Sequence, residues 1–109
     1  MSVQSADPIA AYLEANARFD AEAMLAPFAE DATVIDEKRT HEGRDALRAW
    51  IEEATIGNRA VATPLSVAPD GADRVMVAEV AGAFPGSPVT LTFRFTLAGG
   101  RIARLEIGP

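Results

Sequence analysis

The sequence predicts an α+β fold, with helices in the first half of the chain and an antiparallel sheet in the second. Apolar residues recur at helical spacing up to about Gly57, and from Ala60 onward the apolar period changes to two. The 109 residues fit a single domain covering 1–109. With 49% hydrophobic residues, the chain can build one core.

Three helices are predicted from their start and stop signals. Asp7-Pro8 begins the first, because an Asp side chain can cap free N–H groups and Pro fits the first helical position. Asp20 begins a short second helix, which Pro27 ends or bends. The third helix opens at Gly43-Arg44-Asp45 and stops at Gly57-Asn58.

Strand candidates alternate with turn sequences. A short strand, Ala32–Asp36, precedes a polar turn or hairpin at Glu37 to Glu42. Four later strand candidates are separated by Gly-containing turns: Arg59–Ala68, Asp73–Phe84, Ser87–Leu97 and Arg101–Ile107. Short turns between consecutive strands predict antiparallel pairing.

The strand candidate Asp73–Phe84 is apolar on both faces from Val75 onward, apart from Glu79. A strand buried on both sides lies either mid-core or against a second subunit, which predicts a homodimer through the sheet. A buried Glu79 needs a cation such as Arg94, so a structural ion pair is favoured over an acid in a pocket.

Composition argues against several classes of function. The 16 acidic against 10 basic residues disfavour nucleic acid as a partner. No apolar run approaches the ~20 residues that span a bilayer, and Met1 to Pro8 lacks a signal-peptide pattern, so we expect neither membrane association nor a signal peptide. The absence of Cys excludes disulfides and fits a reducing cytoplasm. Without a phosphate loop or a dinucleotide fingerprint, no cofactor is expected.

Three segments carry a resemblance to a known family. They are Ala11–Ala17, Phe28–Asp36 and Glu42–Trp50. In this order they resemble the nuclear-transport-factor-2-like (SnoaL-like) superfamily. The resemblance implies a cone-shaped, cystatin-like α+β barrel, in which a curved antiparallel sheet wraps three helices around an apolar pocket. It also implies frequent dimerisation through the sheet.

Within that superfamily the chain resembles the ketosteroid isomerases. Asp36 ends the strand where they carry their general base, and Tyr12 matches their oxyanion-hole Tyr. Phe93-Arg94-Phe95 recurs as well, but Leu91 stands where the family has a second oxyanion donor. The resemblance implies a cofactor-free isomerase or cyclase acting on a small apolar carbonyl compound. The missing donor favours the alternative, a non-catalytic ligand-binding or dimeric accessory domain.

Asp36 and Tyr12 also have purely structural interpretations. Asp36 could be an exposed residue that opens the turn to Arg39, and Tyr12 could pack its ring in the core. As a pair they supply the base and the hydrogen-bond donor that enolisation needs.

The other candidate pocket residues are a histidine and a set of large apolar side chains. His41, the only His, is either a solvated loop residue or an acid–base group at the pocket mouth. Because carboxylates are the only other candidate metal ligands and the chain has no Cys, no metal site is predicted at His41. The apolar candidates are core residues that can line a cavity for a small apolar ligand: Trp50, Phe28, Leu91, Phe93 and Phe95.

Overall fold

The computed structural model describes residues 7–109, with helices near each predicted position. They are α1 (Pro8–Ala17), α2 (Ala21–Leu25) and α3 (Arg44–Trp50), which continues as a π-helix over Ile51–Ile56. No helix in the described part of the chain is long and apolar enough to cross a membrane. The expectation about a signal peptide rests mainly on residues 1–6, which lie outside the described residues.

Side-chain caps begin the first two helices, as predicted. Asp7 Oδ1 accepts from the backbone N–H of Ile9 at 3.0 Å, and Asp20 Oδ1 accepts from that of Ala23 at 3.1 Å. Each bond satisfies a donor that the first turn of a helix leaves unpaired. The two caps fix where α1 and α2 start, and α2 ends before Pro27.

Six strands form one mixed sheet in the order β2-β1-β6-β5-β4-β3. The strands are β1 (Phe28–Asp36), β2 (Arg39–Glu42), β3 (Val61–Asp70), β4 (Asp73–Ala81), β5 (Val89–Ala98) and β6 (Arg101–Gly108). The prediction of a wholly antiparallel sheet is wrong at one place, because β1 and β6 run parallel. These two strands are far apart in the chain, so no hairpin turn constrains their direction.

The prediction of three N-terminal helices is only partly confirmed. A strand and a hairpin separate α2 from α3, as predicted, but the last turns of the third helix are π-helical. Residues Arg39–Glu42, expected as a polar turn or hairpin, form the edge strand β2. Its exposed polar side chains suit an edge, where only one side of the strand is paired.

The other edge strand, β3, is protected by a side chain of α1. Asn16 Nδ2 donates to Ala60 O and Asn16 Oδ1 accepts from Ala62 N, both at 2.8 Å. The side-chain amide therefore pairs with the strand as a further peptide group would. Pro64 and Pro69, also in β3, have no N–H to offer a neighbouring chain. Edge-to-edge pairing along β3 is blocked at these points.

The core lies between the helices and the inner face of the sheet. In β4, Met76, Ala78 and Val80 are buried on this face. Glu79 is exposed, so the expectation of a buried Glu79 is wrong. Arg94 pairs instead with acidic residues of the β3–β4 turn, at 2.8 and 3.0 Å. An exposed Glu79 needs no partner cation.

Candidate functional site

A cavity of about 520 Å³ lies between the helices and the inner face of the sheet. Tyr12 and Asn16 of α1 and Trp50 of α3 form part of its helical wall. Leu91 and Phe93 of β5 belong to its apolar sheet wall. A cavity of this size, largely apolar with a few polar groups, suits a small organic ligand.

The carboxylate of Asp36 is held at this cavity by a tryptophan. Asp36 is the last residue of β1, and it pairs with Arg39 across the hairpin. Trp50 Nε1 donates to Asp36 Oδ2 at 3.0 Å. No residue within 7–109 donates to the other oxygen, Oδ1. One oxygen therefore orients the carboxylate, and the other is available to take a proton.

The hydroxyl of Tyr12 is buried and has no hydrogen-bond partner among the described residues. Tyr12 is 2% exposed, and its ring packs edge-on against Phe28 and Phe95, with centroids 5.9 and 6.2 Å apart. Burial raises the pKa of Tyr12, and the nearby charge of Asp36 raises it further. Tyr12 therefore stays neutral and can donate to an oxygen atom in the cavity.

The hairpin turn beside Asp36 has an unusual backbone. Glu37 and Lys38 form the turn with φ angles of 54° and 65°, and both line the cavity. Two consecutive positive φ values match the twist of a two-residue hairpin, although Gly and Asn usually occupy such positions. This tight turn places Asp36 at the rim of the cavity, next to the charged side chains of Glu37, Lys38 and Glu106.

The π-helix and the turn that follows it provide a polar part of the cavity wall that sequence analysis missed. Gly57 N donates to Glu52 O and Ala60 N to Thr55 O, each across five residues and at 2.8 Å. Short π-helical segments are rare and often occur at functional sites. Thr55 and Asn58 line the cavity here. Nothing in the helical spacing of the sequence distinguishes this segment from a continuing α-helix.

Asn16 was also missed, although its spacing offered a signal. It stands four residues after Tyr12, which places both side chains on one face of α1. It is 2% exposed and lines the cavity, but its amide is engaged with β3. A polar residue on the same helical face as a candidate site residue was the available clue.

The structure separates the predicted pocket residues into two groups. Trp50, Leu91 and Phe93 line the cavity together with Tyr12 and Asp36. Phe28 and Phe95 are fully buried in the core behind Tyr12 and are not part of the cavity wall. His41 lies next to Trp50, with ring centroids 6.3 Å apart, and also lies outside the wall. Within residues 7–109, no cluster of three potential metal ligands occurs.

Sequence comparison relates this arrangement to a family. The sequence profile of the SnoaL-like domain matches residues 9–105. The chain belongs to the SnoaL-like domain family. No curated protein matches the sequence of this SnoaL-like domain.

Solved structures extend the comparison. A candidate polyketide cyclase from Sinorhizobium meliloti is 44% identical to this SnoaL-like domain, with 93% of each chain covered and a TM-score of 0.87. An epoxide hydrolase/cyclase-like enzyme with a role in pyran ring formation in the polyether salinomycin is 22% identical. The match covers 92% of this chain and 85% of that one, with a TM-score of 0.80.

A third structure is a hypothetical protein from Catenulispora acidiphila with a ketosteroid isomerase-like fold, in complex with trimethylamine. It is 18% identical, over 97% of this chain and 87% of that one, with a TM-score of 0.81. At such low identity, this likeness and the one to the salinomycin enzyme establish the shared fold and no more.

Proposed function

We propose that this SnoaL-like domain is a cofactor-free acid–base isomerase or cyclase that acts on a small apolar carbonyl compound. One observation carries the proposal: the oriented carboxylate of Asp36 and the unpartnered hydroxyl of Tyr12 line the same apolar cavity. Enolisation needs a base and a hydrogen-bond donor, and these two groups supply one of each. The likeness to a candidate polyketide cyclase at 44% identity supports the same class of reaction.

In the proposed reaction, Asp36 Oδ1 takes a proton from the carbon next to the substrate carbonyl. The electron pair of that C–H bond moves into the carbonyl group, and Tyr12 donates a hydrogen bond to the developing enolate oxygen. An isomerase returns the proton from Asp36 to a different carbon. In a cyclase, the enolate carbon bonds to a second carbonyl carbon, whose oxygen then receives the proton.

Trp50 acts in this scheme as a positioning residue. Its N–H binds Oδ2, so the carboxylate keeps one orientation and presents Oδ1 to the cavity. A fixed base needs less reorganisation when the proton moves, which is how preorganised groups lower a barrier. The bond also gives the half-buried carboxylate of Asp36 a hydrogen-bond donor.

Asp36→Asn is the direct test of the base. The amide keeps the size of the side chain but cannot take the proton, so we expect turnover to fall by about 10²- to 10⁴-fold. Ligand affinity should change little, because the carboxylate acts mainly in the transition state. The measurement is steady-state turnover of a carbonyl substrate, alongside equilibrium binding of the same compound to both proteins.

Glu37→Gln is the matched control for that test. Glu37 is the adjacent carboxylate and also lines the cavity, but it lies in the hairpin turn and is exposed. We expect Glu37→Gln to retain turnover within about twofold, because no step of the mechanism uses it. Undiminished turnover in Asp36→Asn would contradict the assignment of the base.

A non-catalytic ligand-binding domain is the second candidate function. Leu91 favours it, because this apolar side chain lines the cavity where a ketosteroid isomerase would carry its second oxyanion donor. Removing one such donor typically costs about 10²- to 10³-fold in rate. Tight binding of a carbonyl compound without any turnover, in the wild type as in Asp36→Asn, would support this second function.

The expected cytoplasmic location stays a prediction.

A further inference from the structure

His41 lies on the inner face of the sheet, where its ring contacts Trp50. On the edge strand β2, His41 pairs directly with Val34 of β1, and directly paired residues share one face. Val34 is fully buried on the inner face, so His41 belongs to that face as well. The imidazole and indole centroids are 6.3 Å apart, with their planes tilted by 38°. The half-buried imidazole therefore packs on the tryptophan that binds Asp36.

Trp50 stands between His41 and the proposed base. Trp50 is 3% exposed, and its Nε1 donates to Asp36 Oδ2 at 3.0 Å. Asp36 pairs directly with Arg39, two residues before His41 on the same strand. His41 and Asp36 are thus diagonal neighbours on one face, a relation that places two residues about 7 to 8 Å apart. Of the three side chains, Trp50 and Asp36 line the cavity and His41 supports them from the edge strand.

A positive charge on His41 weakens Asp36 as a base in two ways. Histidine is the side chain that ordinarily changes charge between about pH 5 and about pH 8. A cation near a carboxylate favours its ionised form, so the carboxylate takes up a proton less readily. A cation against an indole is attracted to the ring electrons, and the ring N–H then becomes a stronger donor to the carboxylate. Both effects act in the same direction.

Two ionisable groups share the inner face with His41 where β1 pairs with β2. They are Asp36, the only ionisable residue in the part of β1 that pairs with β2, and Arg39, which is exposed. Glu42 pairs with Thr33 and belongs to the outer face. Arginine keeps its charge at neutral and mildly acidic pH, so Arg39 cannot cause a change of charge there. The group on this face that titrates next to Asp36 is therefore His41.

The helix α3 contributes Trp50 to this contact, and its charged side chains are directed elsewhere. Arg44 donates to a backbone carbonyl of α2, and Arg48 forms an ion pair with Glu22 of α2. Asp45 is exposed. What α3 presents to the imidazole is therefore an uncharged aromatic ring.

We propose that His41 is a positioning residue, which supports Trp50 from the edge strand and makes the strength of the base Asp36 depend on pH. The neutral imidazole holds the indole in place while the carboxylate takes its proton. The protonated imidazole stabilises the ionised carboxylate, so turnover falls as the pH decreases. The proposal rests on the proposed function for the role of Asp36 and adds the regulation of that site. Because His41 lies outside the cavity wall, it changes the rate and leaves ligand binding unchanged.

Fluorescence and NMR test the contact without any ligand. The chain has one Trp and one His, so the indole emission and the imidazole Cε1–H signal each report a single residue. A protonated imidazole quenches the emission of an indole that it contacts. We expect the emission of Trp50 to fall between about pH 8 and about pH 5, with the same midpoint as the His41 signal. The indole N–H signal should shift at that midpoint too, because this N–H is bonded to Asp36.

Two variants separate the charge of His41 from its packing. His41→Phe keeps a flat ring against Trp50 but cannot titrate, so it should lose the change in emission and keep kcat near the wild-type value at about pH 8. The ratio of wild-type kcat to that of His41→Phe should fall at least about threefold between about pH 8 and about pH 5, because proton transfer follows the strength of the base. His41→Ala removes the support as well, and we expect kcat to fall about three- to tenfold with KM unchanged.

The outcomes separate this inference from the proposed function. Trp50 emission that does not change at the midpoint of the His41 signal overturns the contact. A ratio of kcat values that stays constant with pH overturns the control of the base by His41. If the spectroscopic changes occur but neither the wild type nor His41→Phe turns over a carbonyl compound, the proposed function is overturned and the coupling of His41 to Trp50 stands.

Discussion

At the scale of single residues, Tyr12 connects the site to the stability of the fold. A buried hydroxyl without a hydrogen-bond partner in the described chain is a cost to folding, and functional sites often retain such costs. Because the pKa of Tyr12 is raised by burial and then by Asp36, the folded chain holds this proton more tightly than the unfolded chain does. The same residue therefore makes stability depend on pH.

We predict that the contribution of neutral Tyr12 to the free energy of unfolding is fully present below the ordinary tyrosine pKa of about 10. It is lost as the pH rises above that value. Unfolded chains ionise Tyr12 in that range while folded chains do not, so unfolding becomes easier. At about pH 11 the loss should approach 1.4 kcal/mol. Urea unfolding at several alkaline pH values measures it.

Two observations check that Tyr12 causes the loss of stability at alkaline pH. Tyr12 is the only tyrosine, so the ultraviolet absorbance of tyrosinate reports this residue alone and should appear together with unfolding. Tyr12→Phe should remove the corresponding part of the pH dependence. Tyrosinate absorbance near pH 10 in a chain that is still folded would contradict the assignment.

At the scale of elements, the Asn16 amide links α1 to the start of β3. It supplies both a donor and an acceptor at 2.8 Å to backbone groups of Ala60 and Ala62. This link holds the helix that carries Tyr12 against the sheet edge. The hairpin turn at Glu37 and Lys38 positions Asp36 at the cavity. One long-range contact and one hairpin turn thus position the two proposed catalytic groups.

Asn16→Ala should destabilise the protein by about 2 to 4 kcal/mol, because it leaves a buried carbonyl and an N–H without partners. Urea denaturation at neutral pH gives the value. Glu14→Ala, an exposed change on the same helix, should cost less than about 0.5 kcal/mol. Equal stability of the Asn16→Ala variant and the wild type would mean that water replaces the amide fully.

At the scale of the whole molecule, the outer face of the sheet is the surface at which we expect self-association. Val75 and Val77 of β4 point to this face and are half-buried in the single chain, with Thr92 of β5 opposite Val77. Ser66 and Ala68 of β3 lie opposite Val77 and Val75 and are exposed, so this face continues to the edge of the sheet. Since Asn16 and two prolines obstruct pairing along the β3 edge, we propose that any dimer forms face to face through the sheet.

Light scattering coupled to size exclusion tests this proposal, and the expected mass is that of a dimer. Val77→Asp adds a charge at the centre of the outer face and should shift the protein towards the monomer, because an unpaired charge is costly in an interface. Ala49→Asp adds the same charge at an exposed position of α3 and should leave the mass unchanged. A monomeric wild type at high concentration would contradict the dimer.

The sequence predicted the helices and strands better than it predicted which of them pack side by side. Caps at Asp7 and Asp20 and the change of period after Ala60 located helices and strands, because these signals depend on residues close in the chain. The parallel pairing of β1 with β6 carries no such local signal. The exposure of Glu79 was missed because apolar neighbours in sequence do not tell which face of a strand is covered.

The sequence by itself determined the fold class, the elements and the pairing of Tyr12 with Asp36 as candidates, since family motifs and local spacing record these directly. Only the tertiary structure decided what surrounds them. The bond from Trp50 to Asp36 and the places of Thr55 and Asn58 in the cavity wall depend on a helix packing across a sheet and on one widened helical turn. Contacts between residues distant in the chain depend on how the elements pack, and short-range sequence signals do not predict that packing.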